Sequence, residues 1–255
     1  MTRIVLAIGG SDPSGGAGVQ ADLRTFSDLG VHGICAITAI TSQDEDSVLS
    51  IHPTPGDVLT QQISTACKGQ DVAAVKIGMV ATKANARAVH WFLKRLDTRN
   101  VVVDPVLHSS TGTPLIESGA FNFYRQQLLP LATVVTPNLA EAGALAGMQV
   151  AGLDTMSTAA EAIHRDLMRL RGGSGGPLAV IIKGGHLEGD SVDVLFDGEK
   201  YHSFPAQRIE GSQPRGTGCR FASAIAAHLA KGDNIVTAVT RAKDYLAWYI
   251  ERASG

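Results

Sequence analysis

The four residues Gly216-Thr217-Gly218-Cys219 concentrate more chemistry than any other stretch of the chain. Two glycines let the backbone turn its N–H groups toward one point. The apolar segment Phe221 to Leu229 reads as a helix whose start adds the positive end of its dipole. The result is a socket for a phosphate or another anion, with Arg215 directly before it. Cys219 falls in the first helical turn, where the same field is expected to favour the thiolate. An anion socket beside a titratable group points to phosphoryl transfer rather than passive binding.

Other polar residues fall at matching places, each directly after a short apolar run. Gly9-Gly10-Ser11-Asp12 follows Ile4 to Ile8, and Thr38 to Asp46 follows the run from Ile34. Lys76 to Met79, Asp104-Pro105, Thr136-Pro137-Asn138 and Lys183-Gly184-Gly185-His186 follow the later runs. Asp104 reads either as a carboxylate that holds Mg²⁺ through water and substrate phosphates or as an aspartate capping a turn. Asn138 with Glu141 three residues on has the form of a capping box, which structure alone explains; Glu141 is also a second acid beside any phosphates. Lys183 reads either as a point charge for a polyphosphate or as a solvated strand-end lysine. Asp22, close behind the first glycine loop, faces either the pocket or solvent.

The elements that must hold these residues follow from the hydrophobic pattern. Short apolar runs at Ile4 to Ile8, Ile34 to Ile40, Ala73 to Ile77, Val101 to Val103, Thr133 to Val135 and Leu178 to Ile182 have the character of buried parallel strands. Helical periodicity lies between most of them: Val19 to Leu29 with Gly30 as its stop, Thr82 to Leu96, and Ser157 to Leu170. The alternation predicts an α/β fold, a mostly parallel central sheet with helices on both faces. Val192 to Phe196 and Glu199 to Phe204, joined by Asp197-Gly198, add a small β-hairpin with an expected type I′ turn. In such sheets ligands sit beyond the carboxyl ends of the strands, so the polar segments form one rim. The glycine-rich stretch 172–176 is expected to be a surface connection. No repeat, charge block or linker divides the sequence, so residues 1–255 are expected to form a single domain.

With 255 residues, 44% of them hydrophobic, the chain can bury a large core without staples. A formal charge of −2 supplies no basic field, which argues against a nucleic-acid partner. The first apolar run is too short for a signal segment or membrane span, so no membrane association and a cytoplasmic location are expected. Cys35, Cys67 and Cys219 lack disulfide or zinc spacing, and the first two read as small core residues. Among the histidines, His108 and His186 are the rim candidates. No G-x-x-x-x-G-K-[ST] occurs. Gly16-Ala17-Gly18-Val19-Gln20-Ala21 fits a dinucleotide fingerprint loosely, but the acid expected about 20 residues later is displaced to Asp44.

The rim segments together resemble the hydroxymethylpyrimidine/phosphomethylpyrimidine kinases of thiamine biosynthesis, within the ribokinase-like superfamily. The most specific stretch is residues 7–23, AIGGSDPSGGAGVQADL. Val75-Lys76-Ile77-Gly78-Met79, Asp104-Pro105-Val106, Thr136-Pro137-Asn138-Leu139-Ala140-Glu141, Lys183-Gly184-Gly185-His186-Leu187 and Gly216-Thr217-Gly218-Cys219 match in order. The resemblance implies a three-layer ribokinase-like fold and an ATP- and Mg²⁺-dependent kinase of a pyrimidine hydroxymethyl group and then of its monophosphate. It implies that Gly10, Asp22, Gln43, Met79 and the backbone near Val106 surround the pyrimidine. It sets Cys219 beside the hydroxymethyl as base and the Gly216–Gly218 turn on the transferring phosphoryl. Asp104 and Glu141 would serve Mg²⁺, and Lys183, with Asn138 and Arg215, would lie toward ATP. A homodimer is a candidate assembly, since an exposed sheet edge or apolar helix in this fold often makes one.

Three departures from the family pattern stand out. Ser110 occupies the place of a usual lysine, and Arg215 that of a common histidine. The segment Thr41 to Asp46 is more acidic than usual, which is expected to disfavour an already phosphorylated acceptor. The competing readings are a pyridoxal/pyridoxine kinase of the same fold, a catalytically weak pyrimidine-binding sensor and, more distantly, a dinucleotide oxidoreductase.

Overall fold

The computed structural model describes residues 2–44, 47–98, 100–109, 111–172, 176–185, 191–206 and 214–254. Ser110, His186, Leu187, Glu45, Asp46 and residues 173–175 of the glycine-rich stretch lie outside the described residues, so the expectations placed on them are not addressed by it.

Six parallel strands form the middle of the sheet: β1 (Ile4–Ser11), β2 (His32–Gln43), β4 (Val72–Ile77), β5 (Val101–Val103), β6 (Val134–Val135) and β7 (Ala179–Ile182). An antiparallel strand β3 (Val48–Pro53) closes one edge. At the other edge an antiparallel hairpin, β8 (Ser191–Phe196) and β9 (Tyr201–Ala206), pairs with β7. The order across the nine-stranded sheet is β3-β2-β1-β4-β5-β6-β7-β8-β9.

The continuous apolar strands follow from helices covering both faces. On β1, Leu6 and Ile8 point into one core and Val5 and Ala7 into the other; on β7, Val180 and Ile182 oppose Ala179 and Ile181 in the same way. The first core is closed by α2 (Gly56–Ala66), α3 (Lys83–Leu93), α5 (Leu139–Ala146) and α6 (Leu153–Arg171). A short α4 (Phe121–Phe123) also belongs to it, running on through a π-helical stretch Tyr124–Leu128. The second is closed by α1 (Gly18–Asp28), α7 (Thr217–Ala230) and α8 (Ile235–Ser254). This is the three-layer α/β architecture expected, with some boundaries moved. Helix α6 begins four residues before Ser157, and β2 runs on to Gln43, so Thr38 to Gln43 is strand rather than rim loop.

The hairpin is present, but its turn is not the two-residue type I′. Phe196 pairs with Tyr201, leaving Asp197 to Lys200 as a four-residue loop. Asp197 accounts for the difference: its carboxylate accepts the backbone N–H groups of Glu199 (2.9 Å) and Lys200 (2.8 Å), folding the loop around itself.

Candidate active site

The parallel strands deliver their carboxyl ends to one cavity of about 800 Å³. Every site residue expected from the sequence lines it: Gly10, Asp22, Gln43, Met79, Asp104, Val106, Asn138, Glu141, Lys183, Arg215, Gly216, Thr217, Gly218 and Cys219. His108 is exposed at the same cavity, so it is a rim residue.

The glycine loop after β1 is organised by Asp12, a buried residue whose role sequence reasoning missed. Its Oδ1 accepts the N–H and hydroxyl of Ser14 (2.9 and 2.8 Å), and its Oδ2 accepts the Ala17 N–H (2.8 Å). Gln20 reaches back from α1 to accept the Asp12 N–H (3.0 Å) and to donate to the Ser11 hydroxyl (2.8 Å). The loop is thereby pressed against the start of α7. Gly216, the residue before that helix, has φ +74°, and a Cβ there would fall on the Gly16 carbonyl oxygen.

Beneath this junction, on the α1–α7 side of the sheet, lies an ion pair fully removed from water. Lys76 Nζ donates to both carboxylate oxygens of Asp22, at 2.8 and 2.9 Å, and the Ser223 hydroxyl of α7 donates to Oδ1 at 2.8 Å. Burial pulls the Lys76 ammonium down, but Asp22 outweighs it and holds the group charged, above the usual lysine range. Asp22 therefore faces inward rather than toward solvent. Lys76 was within reach of the sequence, because a charge between Val75 and Ile77 in a doubly covered strand must have a buried partner.

Cys219 reverses an expectation. The helix start was expected to favour its thiolate, yet burial pushes the thiol up to about 11, against the opposing pull of Lys76. Asp104 and Asp22 add to the upward shift. Loss of water around the thiol is the largest cause.

At the apolar end, Met79 lies against Gly10: a Cβ on that glycine would stand 3.0 Å from the Met79 sulfur. The Thr38 hydroxyl donates to the Met79 carbonyl (2.6 Å), and Ala39, Ala81, Val106 and Leu115 complete a small apolar patch. Gln43, at the end of β2, supplies a polar rim to it.

At the charged end, Lys183 Nζ donates to Asp104 Oδ1 at 2.6 Å, and the Thr136 hydroxyl donates to the same oxygen at 3.1 Å. The lysine is thus not a solvated strand end: Asp104 holds its ammonium at the cavity. A Cβ on Gly218 would stand 3.2 Å from that ammonium, so the glycine turn and Lys183 are in contact. Burial opposes ionisation of Asp104, but Lys183 and Lys76 hold its carboxyl below the usual range. The capping box at α5 is present: Asn138 accepts the Glu141 N–H (2.9 Å) and Glu141 accepts the Asn138 N–H (2.8 Å). Glu141 is buried as well, and burial lifts its carboxyl to about 7. Arg215 donates to the Asp44 backbone carbonyl at the cavity mouth.

Among the described residues no group of three or more His, Cys, Asp or Glu side chains gathers to hold a metal ion. Two carboxylates beside a phosphate-sized turn suit Mg²⁺, which takes one or two protein carboxylates and completes its shell with water and substrate oxygens.

Fold and pocket define the class: a small-molecule kinase built on the ribokinase-like plan. The family model for phosphomethylpyrimidine kinase matches residues 12–255, and the chain belongs to that family. It is 45% identical over 248 residues to the hydroxymethylpyrimidine/phosphomethylpyrimidine kinase of Rhizobium meliloti, covering 96% of this chain and 90% of the relative. Among solved structures, the phosphomethylpyrimidine kinase from Clostridium difficile 630 superposes with a TM-score of 0.83 at 34% identity, covering 98% of this chain and 100% of that one. The pyridoxal kinase from Staphylococcus aureus, in complex with AMP-PCP and pyridoxal, gives 0.85 at 36% identity, covering 98% and 88%.

Proposed function

We propose that this kinase transfers the γ-phosphoryl group of ATP to the hydroxymethyl group of 4-amino-5-hydroxymethyl-2-methylpyrimidine, with residues 1–255 acting as a single catalytic domain. The observation that carries this reading is the contact of the Gly216–Gly218 turn with Lys183, which pairs with the buried Asp104, in the cavity that Met79 and Val106 also line. The flat ring lies over Met79 and Val106, with Gly10, Asp22 and Gln43 around it. Its alcohol points to Cys219. The turn's N–H groups and Lys183 receive the charge of the phosphoryl group in flight, the main need of a loose transition state.

Cys219 accepts the alcohol proton. A thiol titrating near 11 is protonated at neutral pH, so this role draws on a minor thiolate population that the Lys76 and Lys183 ammonium groups favour. Asp104 and Glu141 would hold Mg²⁺, which supplies charge neutralisation between the phosphates. Asn138 and Arg215 flank the nucleotide.

No helix among the described residues is long and apolar enough to cross a membrane. Action in the cytoplasm on small molecules is part of the same proposal. We place neither nucleic acid nor membrane among its partners, and a homodimer is the assembly to test by light scattering.

The deciding experiment measures ADP release with the pyrimidine, its monophosphate and pyridoxal as acceptors, each with and without Mg²⁺. We expect Mg²⁺-dependent turnover on the pyrimidine, with slower use of the monophosphate because the segment Thr41 to Asp46 is acidic. Robust turnover on pyridoxal alone would overturn the substrate assignment. Full activity in excess EDTA would remove the metal from the scheme.

A further inference from the structure

Asp193 and Lys243 lie outside every motif that marks the rest of the site, yet both line the cavity. Asp193 sits on the antiparallel strand β8 and is 5% exposed. Its Oδ1 accepts the Gly184 N–H at 2.8 Å, and its Oδ2 accepts the Lys243 ammonium of α8 at 2.8 Å. Gly184 directly follows Lys183, the residue that pairs with Asp104 and abuts Gly218.

The position of this grip matters. Pairing between β7 and β8 stops at Ile182 and Val194, so the turn after β7 leaves the ladder at the point where its lysine enters the cavity. On the β6 side the chain is held one residue longer, through the Lys183 N–H to the Pro137 carbonyl at 2.9 Å. On the β8 side the Asp193 carboxylate replaces the missing ladder carbonyl for Gly184. A buried ion pair is a poor way to gain stability, because desolvation offsets most of its attraction. It is a good way to fix a backbone segment, because a carboxylate held by an ammonium has one orientation left.

We propose that Asp193, oriented by Lys243, is a positioning residue for the phosphate donor: it fixes the Lys183–Gly185 turn and with it the Lys183 ammonium at the glycine turn. This rests on the kinase reading above, in which Lys183 faces the nucleotide. The device serves one end of the cavity, so its loss separates the two substrates kinetically.

The test uses the full chain and the variants Asp193→Asn and Lys243→Met. Asparagine keeps the shape but offers an amide N–H₂ to one of two donors, so either Gly184 or Lys243 loses its acceptor. We expect the KM for ATP to rise about tenfold or more in Asp193→Asn and several-fold in Lys243→Met, with the KM for the pyrimidine within twofold. ADP titration by calorimetry is expected to show the same loss of affinity without any acceptor present. A merely structural role would lower the melting temperature and leave both KM values in place, and that result overturns the proposal. So does a parallel rise in both KM values. Should Asp193→Asn not fold, Lys243→Met carries the same readout. An unmodified chain that binds ADP but phosphorylates no pyrimidine would refute the substrate reading alone, while the ADP titrations still decide the role of Asp193.

Discussion

Replacing Gly216 with alanine tests whether the catalytic turn depends on the seam between the two glycine segments. Gly216 adopts φ +74°, and a Cβ there meets the Gly16 carbonyl group, with its carbon at 3.0 Å and the Ala17 Cα at 3.1 Å. All of these are backbone atoms and none can rotate away. The left-handed conformation alone costs a side-chain-bearing residue roughly 1–2 kcal/mol, and forcing an extra methyl into a close-packed contact adds about 1–3 kcal/mol. For a chain of this size the sum corresponds to a melting temperature lower by roughly 4–20 °C. The structure relieves the clash by parting the α7 start from the Gly16–Ala17 loop, which displaces the N–H groups proposed to bind the phosphoryl group. A shift near 1 Å at reacting atoms costs about 10²-fold in rate. Gly147→Ala is the control: it has φ +69° with nothing near its would-be Cβ, and it lies away from the cavity lining. It pays the backbone cost without the contact. Differential scanning fluorimetry with steady-state ADP release separates the two variants. Equal melting losses with unchanged kcat in both would refute the seam argument.

Lys76→Met leaves the Asp22 carboxylate buried with only Ser223, and breaking such a pair costs about 3–5 kcal/mol, which urea unfolding should register. The double variant Asp22→Asn/Lys76→Met should recover most of that loss. Cys219→Ala should lower kcat by about 10²-fold or more with a small change in KM. Because its thiol titrates near 11, alkylation of Cys219 by iodoacetamide should be slow at pH 7 and rise about tenfold per pH unit up to that value. For Glu141, burial lifts the carboxyl from 4.5 to about 7, so the folded chain holds its proton more tightly than the unfolded one. Its ionisation therefore costs nothing below about 4.5, erodes stability progressively from there to about 7, and costs a constant ~3 kcal/mol above. Glu141→Gln, which keeps the capping box, should remove that slope from unfolding free energies measured between pH 5 and 8.

The strands were legible because both sheet faces are covered, which turns each into an unbroken apolar run. Strand β3 was not, since Val48–Pro53 carries Ser50, His52 and a proline on a half-exposed edge, and such a strand has no strong pattern. Its proline sits where an edge tolerates it. The rim residues could be named because glycine and polar residues follow each strand, and the cavity gathers those from Gly10 to Cys219 named above as its lining. The upward shift of the Cys219 thiol could not, because local sequence reveals the helix start but not the desolvation and the Asp104 and Asp22 carboxylates that the fold brings to it. Asp193 and Lys243 stand 50 residues apart and meet only through the packing of α8. No spacing rule announces such a pair. Lys76 is the instructive case between these extremes: its oddity is visible in the strand, while its partner on α1 appears only in the fold.

The cavity wall runs from Gly9 in the first strand to Leu246 in the last helix. Such a wall has an order of assembly. Helix α8 packs on α7, which carries Cys219, and supplies Lys243 and Leu246 to the wall, so the wall is complete only once α8 has docked. The same arrangement would make a ligand in the cavity a clamp between β1 and α8, so nucleotide should protect α8 from proteolysis as strongly as it protects the glycine turn.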